Sequence, residues 1–586
     1  MPLRRALPAS AVLAIPPLFL GLTAIPASAA PSMSTLRFDV RVGPDRDQRC
    51  TVAADLYRPA GASRNDRAPA IMTTNGFGGS KDDQAGLAEA FVKRGYVVLA
   101  YSGLGAGGSG CRITLDHPDY DGAAARQLVD FLAGTKAAED GTRTDLVRLD
   151  APGDPRVGMV GGSYGGGVQF AAASVDRRID TLVPIDTWND LRYSLAPNNE
   201  QAPDNEQAPS GGRTGDPGAT KLIWGLGFFA LGAVRGVSEA ETDPSRLSGC
   251  PNFPTALCQA VGESLWYGVP RPKSLSYLHS ASVASYMKRI KVPVLLVQGQ
   301  TDTLFNLQEA AATYRGLSAQ GTPVKMIWHS GGHSGPGASG DLDLTAPDTN
   351  YVGRRVLAWF DHHLKGGPAD TGPKFTYFRP WVPYEGDAAP AYGSAPTHPQ
   401  RLYLSGRDRL TFSKTAVKKG EAAYRNLLGP LPTSFSEISA LQNSFDDVPP
   451  ADAPGGYAAW TSPALTRPID VAGSPTMSVR LSSPAAVRSQ RAGVDGLLVL
   501  FAKLYDVAPD GTTRLVHRLT SPVRVADVRK PLTIQLPGIV HRFEAGHRLR
   551  AVIAASDLSY LGNRATLPVT VHTDPNRPGV LTVPAA

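Results

Sequence analysis

The residues Gly161-Gly162-Ser163-Tyr164-Gly165 follow the apolar run Val157-Gly158-Met159-Val160 and precede a run of small residues at 166–175. This order predicts a short strand, a tight turn that holds the serine, and a helix. It matches the G-x-S-x-G nucleophile elbow, in which the serine hydroxyl is exposed on a strained strand-to-helix turn. Glycine is needed beside the serine because the backbones pass close together and a Cβ would clash. Ser163 is therefore the candidate nucleophile.

An acid and a base follow Ser163, each after a later apolar segment. Asp302 lies just beyond the segment 293–299, PVLLVQG, and His333 lies in a glycine-rich loop after the segment 324–328, VKMIW. Each segment has the length and composition of a buried strand. Serine, acid and histidine, each after its own strand, follow the chain order of an α/β-hydrolase triad. This order predicts that His333 takes the proton of Ser163 while Asp302 fixes the imidazole tautomer.

Each of these residues also has a simpler interpretation. Asp302 alone could cap the helix predicted from Leu307, and His333 alone could be an ordinary loop histidine. A second histidine, His329, is a rival base, but it lies close to the end of its strand. The glycines around His333 let that residue approach the serine, so we predict Ser163, Asp302 and His333 as the catalytic residues.

An acyl transfer also needs hydrogen-bond donors for the oxyanion, each worth roughly 3–4 kcal/mol. The residue after the nucleophile supplies one donor, which predicts the backbone N–H of Tyr164. The second is expected from the loop Thr74-Asn75-Gly76-Phe77-Gly78-Gly79-Ser80, and we predict the N–H of Phe77. The alternative is a glycine-rich turn with no catalytic part. The loop lacks a G-x-x-x-x-G-K-[ST] motif, so nucleotide binding is not predicted.

The first thirty residues have the composition of a secretory signal. Arg4 and Arg5 form a charged start, residues 11–22 form an apolar segment, and Ala27-Ser28-Ala29 is a cleavage motif. No cysteine directly follows that motif, so a lipid anchor is not expected. No later apolar run approaches the length of about 18 residues that a membrane span needs. The sequence thus predicts a secreted protein without a membrane span.

The charge balance excludes one class of partner. The chain has 59 lysines and arginines against 52 aspartates and glutamates, a net charge of +7 before the two signal arginines are removed. Spread over 586 residues, this charge gives no electrostatic footprint for nucleic acid. The expected partner is a peptide or a small ester as substrate, and the oligomeric state stays open.

Four cysteines in an exported chain predict two disulfides. Cys250 and Cys258 bracket a short loop and are expected to pair, which leaves Cys50 with Cys111, although four cysteines allow three pairings. A zinc site is the alternative. No histidines stand at ligand spacing beside these cysteines, so neither a metal nor another cofactor is predicted.

The chain is long enough for two or three domains. From residue 31 to 186, strand-like and helix-like segments alternate, which is typical of a mostly parallel sheet covered by helices. The pattern breaks over 187–290, where helical segments start near Lys221 and Pro254, and it resumes over 291–366. We predict an α/β-hydrolase domain in two parts with an inserted helical cap, which shapes the acyl pocket and excludes water.

The sequence changes character after Gly366. Pro- and Gly-rich segments lead to short strand-like runs, such as 476–481 and 497–504, separated by turn signals such as Pro509-Asp510-Gly511. No long helical pattern competes with them. Residues 367–586 are therefore predicted to form an all-β sandwich of the jelly-roll type.

Four segments carry a family resemblance that is more specific than the elbow alone. They read GSYGG at 162–166, GLGAGGSG at 103–110, WFDHHLKG at 359–366 and FEAGHRLR at 543–550. Together they resemble the X-prolyl dipeptidyl-peptidase and cocaine esterase family of serine hydrolases, over nearly the whole chain after the signal. The resemblance implies a hydrolase domain, a helical cap and a C-terminal jelly roll. It also implies the triad roles of Ser163, Asp302 and His333.

Two positions depart from the family pattern. The family often has a tyrosine whose hydroxyl donates to the oxyanion, where this chain has Phe77. The usual aspartate and arginine before the glycine-rich segment are replaced by Tyr101-Ser102-Gly103-Leu104. The first predicted strand also begins right after the signal, which resembles the esterases more than the larger X-prolyl peptidases. These departures weaken the peptidase assignment.

We favour an aminopeptidase that releases Xaa-Pro dipeptides. Such an enzyme must hold the free ammonium of its substrate, and a nearby carboxylate is the cheapest way to do so. Asp186, Asp190, Glu239 and Glu241 are candidates for this carboxylate by location only.

The alternative activity is a carboxylesterase or acylase of the cocaine esterase type, which needs an apolar acyl pocket. Trp224, Phe228 and Phe229 are placed to line such a pocket, although a helix packing its own core would use the same residues. A remote third interpretation is a secreted binding protein whose hydrolase domain is inert.

Overall fold

The computed structural model describes residues 31–201, 217–333, 337–338, 341–384, 392–393, 397–429, 431–435 and 451–586. The secretory signal predicted for residues 1–30 lies outside these ranges. Within them the chain forms two large sheets and a helical insertion into the first.

The first sheet belongs to the hydrolase domain. The strands in this part of the chain are β1 (Ser32–Val42), β2 (Gln48–Arg58), β3 (Ala70–Thr74), β4 (Val97–Tyr101), β5 (Leu149–Ala151), β6 (Asp154–Pro155), β7 (Val157–Gly162), β8 (Ile179–Ile185), β9 (Val294–Gly299), β10 (Val324–His329), β11 (Phe375–Phe378) and β12 (Tyr392–Gly393). Across the described residues the sheet runs β1-β2-β4-β3-β7-β8-β9-β10-β11-β12, while β5 and β6 form a separate ribbon. Pairing is parallel from β4 through β11. It is antiparallel at the two edges.

Helices cover both faces of this sheet, which explains why its central strands are continuous apolar runs. The helices before the second domain are α1 (Ala85–Val92), α2 (Ala123–Leu132), α3 (Tyr164–Val175), α4 (Leu191–Leu195), α5 (Leu222–Ser238), α6 (Thr255–Tyr267), α7 (Pro272–Ser280), α8 (Val283–Tyr286), α9 (Leu307–Ala319) and α10 (Tyr351–Lys365). α2, α3 and α9 share one buried core with the sheet. α1 and α10 share another. This arrangement confirms the predicted α/β-hydrolase fold.

The helices α4 to α8 lie in the chain between β8 and β9, where the sequence predicts a cap. Helix α8 packs into the first core, while α4 to α7 contribute to a third apolar core that also contains Tyr164, the residue after the elbow serine. This core places the cap against the carboxyl ends of the parallel strands, where the loops of an open α/β sheet form the ligand crevice. The boundaries predicted at residues 186, 290 and 366 stay predictions.

The second large sheet forms the C-terminal domain. Its region contains β13 (His398–Ser405), β14 (Arg409–Thr411), β15 (Gly420–Tyr424), β16 (Ser434–Phe435), β17 (Ala451–Asp452), β18 (Tyr457–Thr461), β19 (Ile469–Gly473), β20 (Thr476–Ser482), β21 (Val499–Val507), β22 (Thr513–Arg524), β23 (Leu532–Gln535), β24 (Ile539–Phe543), β25 (Arg548–Ala554), β26 (Val569–Thr573) and β27 (Val580–Ala585). Its main path runs β15-β26-β20-β27-β13-β14-β18-β25-β21-β22. Side chains of these strands form one large apolar core, and the other side of β21 and β25 contributes to a smaller one. The β-rich character predicted for this domain is confirmed, and its jelly-roll topology stays a prediction.

The two domains are joined by hydrogen bonds as well as by the chain. The side chain of Gln308 on α9 donates to the carbonyl of Leu536 at 3.0 Å and accepts from the N–H of Gly538 at 2.9 Å. Arg524 of β22 donates to the carbonyl of Gly218 at 3.0 Å. The C-terminal domain is thus tied to both the hydrolase core and the start of the cap.

Both expected disulfides are present. Cys50 pairs with Cys111 and Cys250 pairs with Cys258, with Cα–Cα distances of 5.6 and 5.7 Å. The first bridge links β2 to the glycine-rich segment at 103–110, and the second closes an eight-residue separation in the cap. Among the helices of the described ranges, none combines the length and apolar composition required to cross a bilayer.

Candidate active site

The serine of the elbow sits in a strained backbone conformation. Ser163 has φ 55° and ψ −116°, between the end of β7 and the first turn of α3. Such angles are costly for a residue with a Cβ, and they cluster at functional sites. A Cβ on Gly165 would lie 2.5 Å from the carbonyl oxygen of Thr74, and one on Gly161 would lie 2.9 Å from the carbonyl oxygen of Gly165. The flanking glycines are therefore required by close backbone packing.

The structure brings the three predicted triad residues into one hydrogen-bonded chain. Ser163 Oγ lies 2.9 Å from His333 Nε2, and His333 Nδ1 lies 3.0 Å from Asp302 Oδ2. Asp302 follows β9 and His333 follows β10, and both strands end at the same edge of the sheet as the elbow. Residues that are 170 positions apart in sequence thus meet at this edge.

Asp302 is fully buried and held as an acceptor from several sides. Its Oδ1 accepts from the backbone N–H groups of Leu304 and Phe305, both at 2.8 Å. Its Oδ2 accepts from Gln298 Nε2 at 3.2 Å, in addition to the contact with His333. These donors fix the carboxylate orientation and leave Oδ2 facing the imidazole, so the geometry selects a proton on His333 Nδ1.

His333 is enclosed by aromatic rings. The edges of Trp224 and Phe305 approach it, with ring centroids 5.6 and 5.1 Å away. Burial lowers the pKa of its imidazole, but the charge of Asp302 and the hydrogen bond to it outweigh burial, so its pKa is raised above 6.5. Phe305 and Gln298 lie in no recognised motif, so sequence patterns alone did not identify them.

His329, the rival base, is engaged elsewhere. Its Nδ1 accepts from the N–H of Gly331 at 3.1 Å, so its Nε2 carries the proton and donates to Asp186 Oδ1 at 3.1 Å. The raised pKa of His329 and the lowered pKa of Asp186 both arise from this contact, which outweighs burial. Gln298 Nε2 also reaches Asp186 Oδ1 at 3.3 Å, so one amide bridges two separate Asp–His pairs.

Ser163 opens into an apolar cavity of about 120 Å³. Phe77 and Tyr164 line it beside the serine, with their rings 5.8 Å apart in an edge contact. The oxyanion role of their N–H groups stays a prediction. The three aromatic residues predicted for an acyl pocket, Trp224, Phe228 and Phe229, are in its wall or pack directly against it.

One charged side chain, Lys221, stands among the described residues of the cavity wall. Its Nζ donates to the backbone carbonyl oxygens of Thr303 and Leu304, the latter at 2.8 Å. The remaining described wall is formed by apolar and small side chains from the cap and from the hydrolase domain, with Leu561 contributed by the C-terminal domain.

None of the four candidate carboxylates belongs to the described wall of this cavity. Asp186 faces His329, and Asp190 pairs with Arg192 at 2.6 Å and with His279 at 3.2 Å. Glu239 accepts from the N–H groups of Gly107 and Gly108 and pairs with Arg246, while Glu241 is exposed. The described part of the chain contains no cluster of three or more metal-ligating side chains.

The fold, the elbow and the hydrogen-bonded serine, histidine and aspartate define a hydrolase of the α/β-hydrolase class. Family models then match two regions of the chain. The X-Pro dipeptidyl-peptidase model of the S15 family covers residues 47–212 and 262–335, and the X-Pro dipeptidyl-peptidase C-terminal non-catalytic domain covers 384–578. The chain belongs to the X-Pro dipeptidyl-peptidase and cocaine esterase-like family of serine hydrolases.

Solved structures share the whole fold at low sequence identity. An aminopeptidase from a marine sediment Thaumarchaeota archaeon has a TM-score of 0.63 at 14% identity, over 96% of this chain and 99% of its own. An alpha-amino acid ester hydrolase has a TM-score of 0.63 at 16% identity, over 98% and 100%. A CocE/NonD family hydrolase from Staphylococcus aureus has a TM-score of 0.58 at 14% identity, over 94% of both chains. No curated protein has a significantly similar sequence.

Proposed function

We propose that the chain is a serine acyl hydrolase in which Ser163 is the nucleophile, His333 the general base and Asp302 the residue that orients the base. Ser163 Oγ attacks the substrate carbonyl carbon while its proton passes to His333 Nε2, 2.9 Å away. The new imidazolium is stabilised by Asp302 and returns the proton to the leaving group. Water then cleaves the acyl-enzyme by the same path in reverse.

The oxyanion formed in each step needs fixed donors. We assign this part to the backbone N–H groups of Tyr164 and Phe77, which flank Ser163 in the cavity. Phe77 has no hydroxyl to offer, so its contribution is confined to the backbone. Its ring instead packs on Tyr164 and Phe228, with centroids 5.8 and 5.0 Å away.

The observation that carries the substrate assignment is the apolar cavity wall, whose described residues include no carboxylate. A peptidase that recognises a free N-terminus must bury an ammonium, which is costly without a paired anion. Three of the four candidate carboxylates already have partners outside the cavity. We therefore place a carboxylesterase or acylase that accepts uncharged, apolar acyl groups ahead of a dipeptidyl-peptidase.

The second candidate is an Xaa-Pro dipeptidyl-peptidase, which the S15 family match favours. Paired substrates separate the two activities: an Xaa-Pro anilide with a free amine, the same anilide acetylated on that amine, and a short-chain aryl ester. The esterase assignment predicts turnover of the ester and no preference for the free amine. A peptidase would lose more than about tenfold on acetylation because a charge-assisted hydrogen bond is lost. Such a loss would replace our assignment with the peptidase.

The Ser163→Ala variant is the matched control for all three substrates. It should keep the fold, because Ala is close to Ser in size, and it should lose nearly all turnover. A fluorophosphonate probe should label the wild type at Ser163 and leave the variant unlabelled. If the variant is still labelled, Ser163 is not the nucleophile. If the wild type is neither labelled nor active, the inert binding protein is the better description.

We also propose that the protein is exported by the segment 1–30. Two disulfides, which form and persist in oxidising compartments, support this proposal. Expression of the full chain with its natural start, followed by N-terminal sequencing of the medium fraction, tests it. The expected new N-terminus lies just after Ala29, and retention of the intact chain inside the cell would contradict the proposal.

A further inference from the structure

The cap helix α5 has an outer face that is apolar and exposed to solvent. Leu226, Val234 and Val237 are 39%, 64% and 63% exposed. Positions 226, 230, 234 and 237 are spaced so that they fall along one side of a helix. Arg235 is the single charged residue among the seventeen of this helix. Ordinary surface helices carry polar side chains on such a face.

The end of α6 adds to this apolar surface. Leu265, Trp266 and Tyr267 are 48%, 76% and 38% exposed. The guanidinium of Arg271 stacks over the Tyr267 ring at 3.9 Å from its centroid. Aromatic rings beside basic side chains are typical of surfaces that lie at a boundary between water and lipid.

This surface is continuous with the catalytic cavity. Leu226 of α5 and Leu265 of α6 both line the cavity that contains Ser163, and both are among the exposed large apolar side chains. The opposite face of α5 carries Trp224 against His333 and Phe228 against Phe77. Two helices therefore form the cavity wall on one side and an exposed apolar surface on the other.

The charge pattern and the position of this surface identify its occupant. Because Arg235 is the one charged side chain of α5, this helix offers a charged partner at most one ion pair. A folded protein or a second copy seated over Leu226 and Leu265 would cover the part of the cavity wall that these two side chains form. A fluid layer of apolar molecules would cover the same side chains and also supply substrate to the cavity.

We propose that α5 and the end of α6 form an interfacial docking surface, by which the enzyme binds aggregated uncharged acyl esters and takes substrate from them directly into its cavity. The proposal rests on the acyl-hydrolase function proposed above. It goes further by naming the physical state of the substrate. Turnover should rise once the ester separates from water, because the exposed side chains are then buried in the aggregate.

The test compares rates on tributyrin below and above its solubility limit. The wild type should show a clear rise above that limit. A triple variant, Val234→Gln, Val237→Gln and Trp266→Gln, changes three exposed residues that do not line the cavity. It should lose the rise, with an apparent affinity for the emulsion at least about tenfold weaker, while its rate on a soluble aryl ester is unchanged. Leu428→Gln, which changes a residue 59% exposed in the C-terminal domain, is the matched control and should keep the rise.

The outcomes separate this inference from the function on which it rests. Turnover of the soluble ester with no rise above the solubility limit, or an equal rise in the triple variant, would overturn the docking surface alone. A wild-type dimer that the triple variant converts to monomers in light scattering would also overturn it, because a second copy would then cover the surface. No turnover of any ester would overturn the proposed function. In that case co-sedimentation of the Ser163→Ala variant with the emulsion, lost in the triple variant, would still support docking.

Discussion

Replacing Asp302 with Asn should disable the site by reversing the tautomer of His333. Asp302 Oδ1 accepts two backbone N–H groups at 2.8 Å, and these donors cannot rotate away. The Asn oxygen must therefore occupy the Oδ1 position, and its NH₂ group must face His333. His333 Nδ1 then accepts a hydrogen bond, so the ring proton moves to Nε2, which lies 2.9 Å from Ser163 Oγ. A protonated Nε2 cannot accept the serine proton.

The expected loss in kcat is about 10⁴-fold, the size found when an orienting aspartate becomes an amide and the tautomer is wrong. This factor corresponds to about 5.5 kcal/mol of activation free energy. The loss should fall on kcat rather than on KM, since Asp302 is buried behind the imidazole and does not line the cavity. Gln298 Nε2 would also face the new NH₂ group, so a small loss of stability is expected as well.

Asp186→Asn is a matched control because Asp186 also pairs with a histidine and also accepts from Gln298. The assay is kcat and KM on a soluble aryl ester at pH 8, with circular dichroism and urea unfolding of both variants. Asp186→Asn should keep more than about a tenth of the wild-type rate, since His329 does not contact Ser163. The reasoning fails if Asp302→Asn keeps a tenth of the activity, or if both variants lose it equally while remaining folded.

Three further results are expected. His333→Ala should lose at least about 10³-fold in kcat and His329→Ala far less, as steady-state kinetics would show; the reverse order would make His329 the base. Since the base acts only when neutral and the pKa of His333 is raised above 6.5, kcat/KM on a non-ionising ester should fall as pH drops through a midpoint above 6.5; a midpoint near 5 would contradict this. Burial raises the pKa of Glu309 from 4.5 to about 7, so the unfolded chain releases this proton at lower pH and stability should fall as pH rises from 4.5 to 7. In urea titrations, the free energy of unfolding should change by about 3 kcal/mol less between pH 5 and pH 8 in Glu309→Gln than in the wild type. An equal change in both proteins would refute this assignment.

The elbow was predictable because steric demand leaves a local trace in the sequence. Only glycine fits at positions 161 and 165, two residues on either side of Ser163, where the backbones nearly touch. A buried parallel strand must be apolar on both faces. The order of Asp302 and His333 after later strands was predictable for the same reason, since strand ends meet at one edge of the sheet. These features are local, so motif and periodicity sufficed for the fold.

Side-chain pairing was not predictable in the same way. His329 and His333 are four residues apart in sequence. Only the fold shows that Asp186, 143 positions before His329, accepts a hydrogen bond from His329 and leaves His333 to contact the serine. Gln298 lies within an apolar strand and carries no motif, although it donates to both aspartates. Such contacts depend on which loops meet above the sheet, and spacing along the chain does not encode that.

Leu561, which among the described residues is the one that the C-terminal domain contributes to the cavity, has a consequence for how selectivity can be altered. The segment beside Leu561 is held to the start of the cap by its backbone. The N–H of Leu561 donates to the carbonyl of Thr220 at 2.9 Å, and Tyr560 and Lys221 form an antiparallel β-bridge. Exchange of the C-terminal domain between homologues should therefore transfer part of the substrate preference along with it. Libraries designed to change acyl-chain selectivity should randomise position 561 together with cap positions, because the two domains share one specificity pocket.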